Sequence, residues 1–180
     1  MIHLRHGDLL IGTNARDEAA DAYRRALRLR GGSFVRGNWW IAGPYPGGLD
    51  DVTQADSQQD VARPIVPAAH GKPAVRWKLL DDTDADLSLH PYFDNAENVT
   101  GYAQLFIYSE SEQQISLTLG CDDCLRLSLN GEKLFKSRNF VTPGAGHASA
   151  TLKAGWNRLS AKLVNRTRHH VLQVEITPRP

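Results

Sequence analysis

The pattern of apolar and polar positions divides the chain into three. Over residues 99–177, five stretches alternate apolar and polar residues: TGYAQLFIYSE, QQISLTLG, LRLSLNGEKLF, GHASATLKAGWNRLSAKLVNR and HHVLQVEITP. Successive side chains of a strand point to opposite faces, so a period of two predicts strands with one buried face. Asn130-Gly131 predicts a two-residue hairpin, since both residues tolerate positive φ. The run KAGWN at 153–157 predicts a second tight turn. Short strands joined by Gly and Asn turns, without a helical period among them, predict a mainly β antiparallel sandwich.

The first 32 residues follow another period. In NARDEAADAYRRALRLRGG, Asn14 stands as an N-cap with Asp17 three residues on. Ala19, Ala22 or Tyr23, Ala26, and Leu29 or Arg30 follow at helical spacing, Leu27 widens the apolar face, and Gly31-Gly32 ends it. HLRHGDLLIG predicts a partner helix ending near Gly12, which small residues at Ala19, Ala22 and Ala26 let approach closely. The expected organisation is a helical hairpin at 1–32 and a β unit at 33–180. Residues 33–98 are irregular: a short strand at Trp39–Ala42 stopped by Gly43-Pro44, a polar surface loop from Leu49 to Ala74, and short strands in VRWKLLDD and DLSLH.

Composition narrows the function. Hydrophobic residues are 41% and charged residues 23% of 180, as in a soluble globular protein. A net charge of +1 gives no electrostatic case for nucleic acid or an anionic membrane. No apolar run approaches membrane-spanning length. The polar start MIHLRHGDLLIGTNARDEAA does not read as a signal peptide, so the chain as given reads as cytoplasmic unless it is an internal piece of a longer exported protein.

Two resemblances add to this. Gly7, Ala19, Tyr23 and Ala26 stand at the spacing of one tetratricopeptide repeat, although His3 and His6 replace large apolar residues and Gly31 stands where Pro is usual. One such repeat cannot bury its own face, so the resemblance implies neighbouring repeats upstream, a protein partner at the hairpin, or packing on the next domain. Further on, Trp39 or Trp40 with Gly43, Pro44 and Tyr45, then Cys121–Cys124, Asn130-Gly131, and Leu152, Gly155 and Asn157 occur in order. That order resembles the galactose-binding-like jelly-roll modules of bacterial multidomain proteins. It implies a jelly-roll sandwich acting as a non-catalytic accessory module with a glycan as ligand. Because such sandwiches also bind proteins or space other domains, an interaction or structural module is the alternative, and a polysaccharide hydrolase using loop acids a third.

The chemistry-bearing residues sit mostly in turns. Asp122 and Asp123 look like the adjacent aspartates of the anthrax-protective-antigen type sandwich, where they hold a calcium ion that holds sugar hydroxyls. Ca²⁺ takes six to eight oxygens, and Asn139, Asp94, Asn95 and Glu97 are candidates for the rest. Equally, Asp carboxylates accept backbone N–H groups in turns, and Cys124 replaces the Gly that follows the acids in the family. Cys121 and Cys124 allow zinc, redox chemistry, or thiols that are free or locally bridged; zinc needs two further ligands, and a redox pair is expected at a helix N-terminus. Trp39, Trp40, Trp77, Trp156, Tyr45, Tyr92 and Phe93 are candidates for stacking on a sugar. Trp39 and Trp40 must face opposite ways, Trp156 reads as core, and Tyr92 and Phe93 in HPYFDN read as lining a groove or plugging the sandwich end. No catalytic motif is present, and the acids of DDTDAD at 81–86 read as a solvated loop. No cofactor is required beyond the calcium that the resemblance implies.

Overall fold

The structure is a computed structural model that describes residues 2–66, 73–80 and 86–179. The chain opens with helices α1 (Ile2–Gly12) and α2 (Arg16–Arg30), then strands β1 (Phe34–Arg36) and β2 (Trp40–Pro46), a single turn α3 (Gln54–Ser57), β3 (Lys78–Leu79) and β4 (Asp86–Ser88). A short 3-10 helix, His90–Phe93, leads to β5 (Val99–Ser109), β6 (Gln113–Asp122), β7 (Cys124–Leu129), β8 (Glu132–Ser137), β9 (Val141–Leu152), β10 (Gly155–Asn165) and β11 (Val171–Pro178). The acids at 81–85 and the loop residues 67–72 lie outside the described residues.

Two antiparallel sheets face each other, as the alternation predicts. One runs β3-β2-β5-β10-β7-β8, with β1 also paired to β5; the other runs β4-β11-β6-β9. From β5 onward the chain crosses between sheets at every connection except β7–β8, which winds it into a jelly roll. That exception is the Asn130-Gly131 hairpin, with φ of 52° and 90°. Between the sheets lie Leu105, Ile107, Ile115, Leu117, Leu119, Leu125, Leu159 and Leu163 with Trp39.

The outer face of the larger sheet also carries a large apolar area, and this organises the first 80 residues. Trp40, Ala42, Tyr45, Tyr102, Phe106 and Tyr108 form a second core with Leu4, Ile11, Ala19, Tyr23 and Leu27 of the helices and with Ala55, Val61, Ile65 and Trp77. Trp39 and Trp40 do face opposite ways: Trp39 is between the sheets, and Trp40 lies under α1 at Gly12. The sequence-predicted surface loop after Leu49 is therefore partly a cover. The expected cap at Asn14 is not formed. Asn14 takes φ 65° and its amide bonds to Ile11, so it turns the chain out of α1, and Ala15 precedes α2 without a side-chain cap. Asn tolerates the left-handed region, and closing a two-helix turn uses that tolerance.

The helix pair is also tied down by a buried polar cluster. Asp8, fully buried, accepts the Tyr23 hydroxyl proton, the Asn38 backbone N–H (3.0 Å) and the Asn38 Nδ2 amide (2.8 Å). Gly37 is required beside it, because a Cβ there would overlap the Tyr23 hydroxyl and the Asp8 carboxylate. At the other end of the second core, Asp56 receives Arg126 (2.5 Å) and the fully buried Lys162 (3.2 Å), with the Thr53 N–H (2.9 Å) and Tyr102 hydroxyl (2.7 Å). Removing Asp56 would leave a buried ammonium uncompensated, a change that typically costs about 3–5 kcal/mol.

Burial pushes the Asp8 carboxyl up from 3.8 to about 6, against the hydrogen bonds from Tyr23 and Asn38. A raised folded-state value favours the protonated form, so this contribution to stability is complete below about pH 3.8 and is lost as pH rises through 6. The stability of the native chain relative to Asp8→Asn should therefore fall by about 3 kcal/mol between pH 3.5 and 7. Urea unfolding of both proteins across that range measures it, and a constant difference would contradict the burial argument.

Candidate functional site

Four connections meet at one end of the sandwich. The β6–β7 turn brings Asp122 and Asp123, the β8–β9 loop brings Asn139 and Phe140, the β10–β11 loop brings residues 166–170, and the segment around the 3-10 helix brings Tyr92 to Asn98. The sequence candidates thus collect at a common end, although they lie far apart in the chain.

Hydrogen bonds lace these loops together. Asp123 Oδ2 accepts the backbone N–H of Arg166 (2.6 Å) and of Thr167 (3.4 Å), the Asp-in-a-turn role open to it in the sequence. Glu97 Oε1 accepts the Arg168 N–H (3.0 Å), Asn165 Nδ2 donates to Ala96 O (2.8 Å), and the Arg166 guanidinium donates to Arg138 O (3.0 Å). Asn139 engages Ser137 through its backbone, while its residue is exposed. Asp94 and Asn95 sit in left-handed turn conformations after the 3-10 helix.

Asp122 is different. Among the described residues it accepts no backbone amide; its carboxyl faces the charge of Asp123, and the peptide joining the two is cis. Burial, the Asp123 charge and a hydrogen bond to Asp123 push the Asp122 carboxyl up, opposed by His169. A carboxyl raised by burial and a neighbouring charge is relieved by a proton or a cation. Asp122 also lines an open cavity of about 220 Å³, with Asp86, His169 and Gln173 as its other polar groups and Val141, Pro143 and Val171 as its apolar wall. Phe140, 55% exposed, stands on the wall.

The aromatic candidates separate cleanly. Phe93 is buried at 4% exposure against Gly43, Gly101 and the His170 ring, so it plugs the sandwich end rather than lining a groove. Tyr92 is 40% exposed with the Lys78 ammonium 4.8 Å from its ring centre, and it does not line the cavity. Trp77 and Tyr45 are buried in the second core, and Trp156 is half-buried against Tyr23, Phe106 and Tyr108. Phe140, His169 and Gln173 are what the sequence reasoning did not assemble. The available signal was an aromatic residue exposed to the polar run KSRNFVTPG, where a strand pattern has not yet begun.

Both cysteines are buried and unbridged. Cys124 Sγ donates to Arg138 O (3.3 Å) and Cys121 Sγ to Asp123 O (3.8 Å). Burial pushes the Cys121 thiol up to about 12 and raises that of Cys124. Metal ligation and redox attack both need the thiolate, which this surrounding disfavours. Among the described residues no group of three or more His, Cys, Asp or Glu side chains is placed to hold a metal ion. His170 is fully buried, and burial holds it down at about 4, a neutral ring packed behind the loops.

No protein-family model matches the chain, and no curated protein matches it. Among solved structures, a β-glucosidase from Kluyveromyces marxianus aligns over 78% of this chain at 11% identity and TM-score 0.46; the chain spans 16% of that protein's length. A family 35 carbohydrate binding module from Clostridium thermocellum aligns over 79% of this chain and 98% of its own, at 17% identity and TM-score 0.35. The PA14 sugar-binding domain of an RTX adhesin aligns over 88% and 77%, at 10% identity and TM-score 0.35. These scores all lie below 0.5, so neither ligand nor activity transfers from those proteins.

The two aspartates should respond oppositely to removal. Asp123→Ala deprives two backbone N–H groups of their acceptor and should cost about 1–3 kcal/mol. Asp122→Ala removes only a group crowded by its neighbour and should change stability by less than about 0.5 kcal/mol at pH 7. Paired denaturant titrations check this; equal losses would show that Asp122 also carries the turn.

Proposed function

We propose that the protein is a non-catalytic carbohydrate-binding module whose ligand sits in the cavity at the Asp122 end. The observation that carries this is the composition of that cavity, an apolar wall with an exposed phenyl ring, edged by Asp86, Asp122, His169 and Gln173. A pyranose has a C–H face that stacks on an aromatic ring and hydroxyl edges that both donate and accept. Carboxylates accept from those hydroxyls, while an amide and an imidazole serve in either sense. A phosphate-bearing ligand would meet two carboxylates instead. The surrounding loops are bonded to one another through backbone groups, so the cavity is largely formed before binding.

Calcium enters as part of the same proposal. Asp123 Oδ2 is committed to two N–H groups, which leaves the Asp122 carboxylate as the principal ligand and the remaining Asp123 oxygen as a second. That is fewer than the six to eight oxygens Ca²⁺ requires. Backbone carbonyls, water and sugar hydroxyls would complete the set, so the ion and the sugar would bind together. The ion would neutralise the paired carboxyls and fix the sugar's hydroxyls.

A second reading is favoured by one feature of the helices. Ile2, Leu9 and Leu29 are exposed at 84%, 48% and 74% although the rest of the helix pair's apolar surface is covered. A protein partner docking on these three positions is the interaction-module alternative.

Glycan-array binding of the intact chain, followed by calorimetric titration of the best ligand, tests the proposal. Phe140→Ala and Asp122→Asn should each weaken binding at least tenfold, and chelation of calcium should weaken it in the native chain but not further in Asp122→Asn. An array without a saturable ligand, or binding indifferent to both substitutions, would overturn it.

A further inference from the structure

The outer face of the larger sheet carries a polar stripe between its two covers. The strand registers place its members in rows. Arg158 on β10 is opposite Phe106 on β5; Ser160 lies between Gln104 on β5 and Ser128 on β7; Lys162 lies between Tyr102 and Arg126. Positions two apart on a strand are about 7 Å apart on the same face, so the stripe follows β10 from the helix pair toward α3.

Its centre holds an unexplained group. Gln104 is 1% exposed, and among the described residues neither its amide nitrogen nor its amide oxygen has a hydrogen-bond partner. Buried amides are nearly always bonded, and leaving one unmade costs about 1–3 kcal/mol. Gln104 lines a cavity of about 50 Å³ with Ser128, Ser160, Trp77 and the ion-paired group of Asp56, Arg126 and Lys162. That space admits one or two water-sized groups, such as hydroxyls.

Next along the stripe is an open cavity of about 270 Å³ lined by Arg16, Arg158, Phe106, Trp156, Asn130 and Asn157. The Arg16 guanidinium lies 5.0 Å from the Phe106 ring centre. Arg158 Nε is buried without a partner among the described residues. Burial first, and then the charge of Arg16, makes the Arg158 cation costly, and the acid that offsets it, Asp60, acts on it through space. Two neighbouring guanidinium groups, one of them over an aromatic face, are a setting that an anion completes.

We infer that this stripe is a second binding site, for an acidic oligosaccharide whose anionic group meets Arg16 and Arg158 and whose hydroxyls reach Gln104. Trp77 lines the hydroxyl-sized space, and Trp156 with Phe106 lines the neighbouring cavity. Peptides add to open sheet edges or lay an apolar face in an apolar groove; β10 has neither to offer, because β5 and β7 pair with it on both sides. The anion is a carboxylate or a sulfate, and the two are separable. This site lies on the sheet face, apart from the loop-end cavity, and does not depend on a ligand binding there.

The test is calorimetric titration of the intact chain at low salt with three hexasaccharides: oligogalacturonate, whose only anions are carboxylates, a sulfated galactan, whose only anions are sulfates, and neutral cellohexaose. At least one acidic ligand should bind saturably and at least tenfold more tightly than the neutral one, and which acidic ligand binds identifies the anion. Gln104→Met and Arg158→Gln should each weaken it at least tenfold, with melting temperatures confirming that both variants fold. Phe140→Ala should leave it unchanged. The proposal is overturned if neither acidic hexasaccharide binds, if both stripe variants bind as the native chain does, or if Phe140→Ala abolishes the binding.

Discussion

Strand β5 is buried on both faces, and most of the molecule is arranged to meet that constraint. Ala103, Leu105 and Ile107 face the four-stranded sheet, while Tyr102, Phe106 and Tyr108 face away from it. A strand apolar on both sides needs a layer against each. The smaller sheet supplies one, and the helix pair with the segment from Leu49 to Trp77 supplies the other. Burying aromatic side chains contributes about 1.5–3 kcal/mol each relative to leaving them exposed, so the outer cover is a stabilising layer rather than an ornament.

Covering a sheet face with helices brings polar atoms inside as well. Asp8 with Tyr23 and Asn38 at one end, and Asp56 with Arg126 and Lys162 at the other, are buried or half-buried groups whose partners come from distant parts of the chain. Because breaking one partner leaves the other stranded in a low-dielectric setting, each cluster fixes the position of its cover. The sandwich end is held on the same principle. There, Asp123 and Glu97 are spent on backbone N–H groups of the β10–β11 loop, while Asp122 stands beside a cavity with no backbone partner among the described residues.

The sequence made some of this legible and hid the rest, for identifiable reasons. The period-two runs and Asn130-Gly131 located the strands and a hairpin, because those signals are local. The run GYAQLFIY carried a further signal, since apart from Gln104 it is apolar on both alternating sets, as in strands covered on two sides. Asn14 misled because Asn suits both an N-cap and a left-handed turn. Gln54–Ser57 and its Asp56 were indistinguishable from a polar loop, since the groups that give Asp56 its role lie some 50 to 100 residues away. Of the residues that line the loop-end cavity, Asp122 alone stood out as a candidate sugar-binding residue by composition, whereas Phe140, His169 and Gln173 acquire meaning only when β6, β9 and β11 are side by side.

The close approach at Gly37, which lets Tyr23 and Asp8 reach the start of the sandwich, has a consequence for how such a chain can change over generations. The join near residue 32 looks like a seam where a helical unit meets a β unit, the kind of place where recombination exchanges modules. Here the seam passes through a shared core. A crossover at that point would part Tyr23 from the ring of Trp156 and leave a sheet with an uncovered aromatic face. The hairpin and the sandwich are therefore a single heritable piece, and any rearrangement that preserves the fold must carry both.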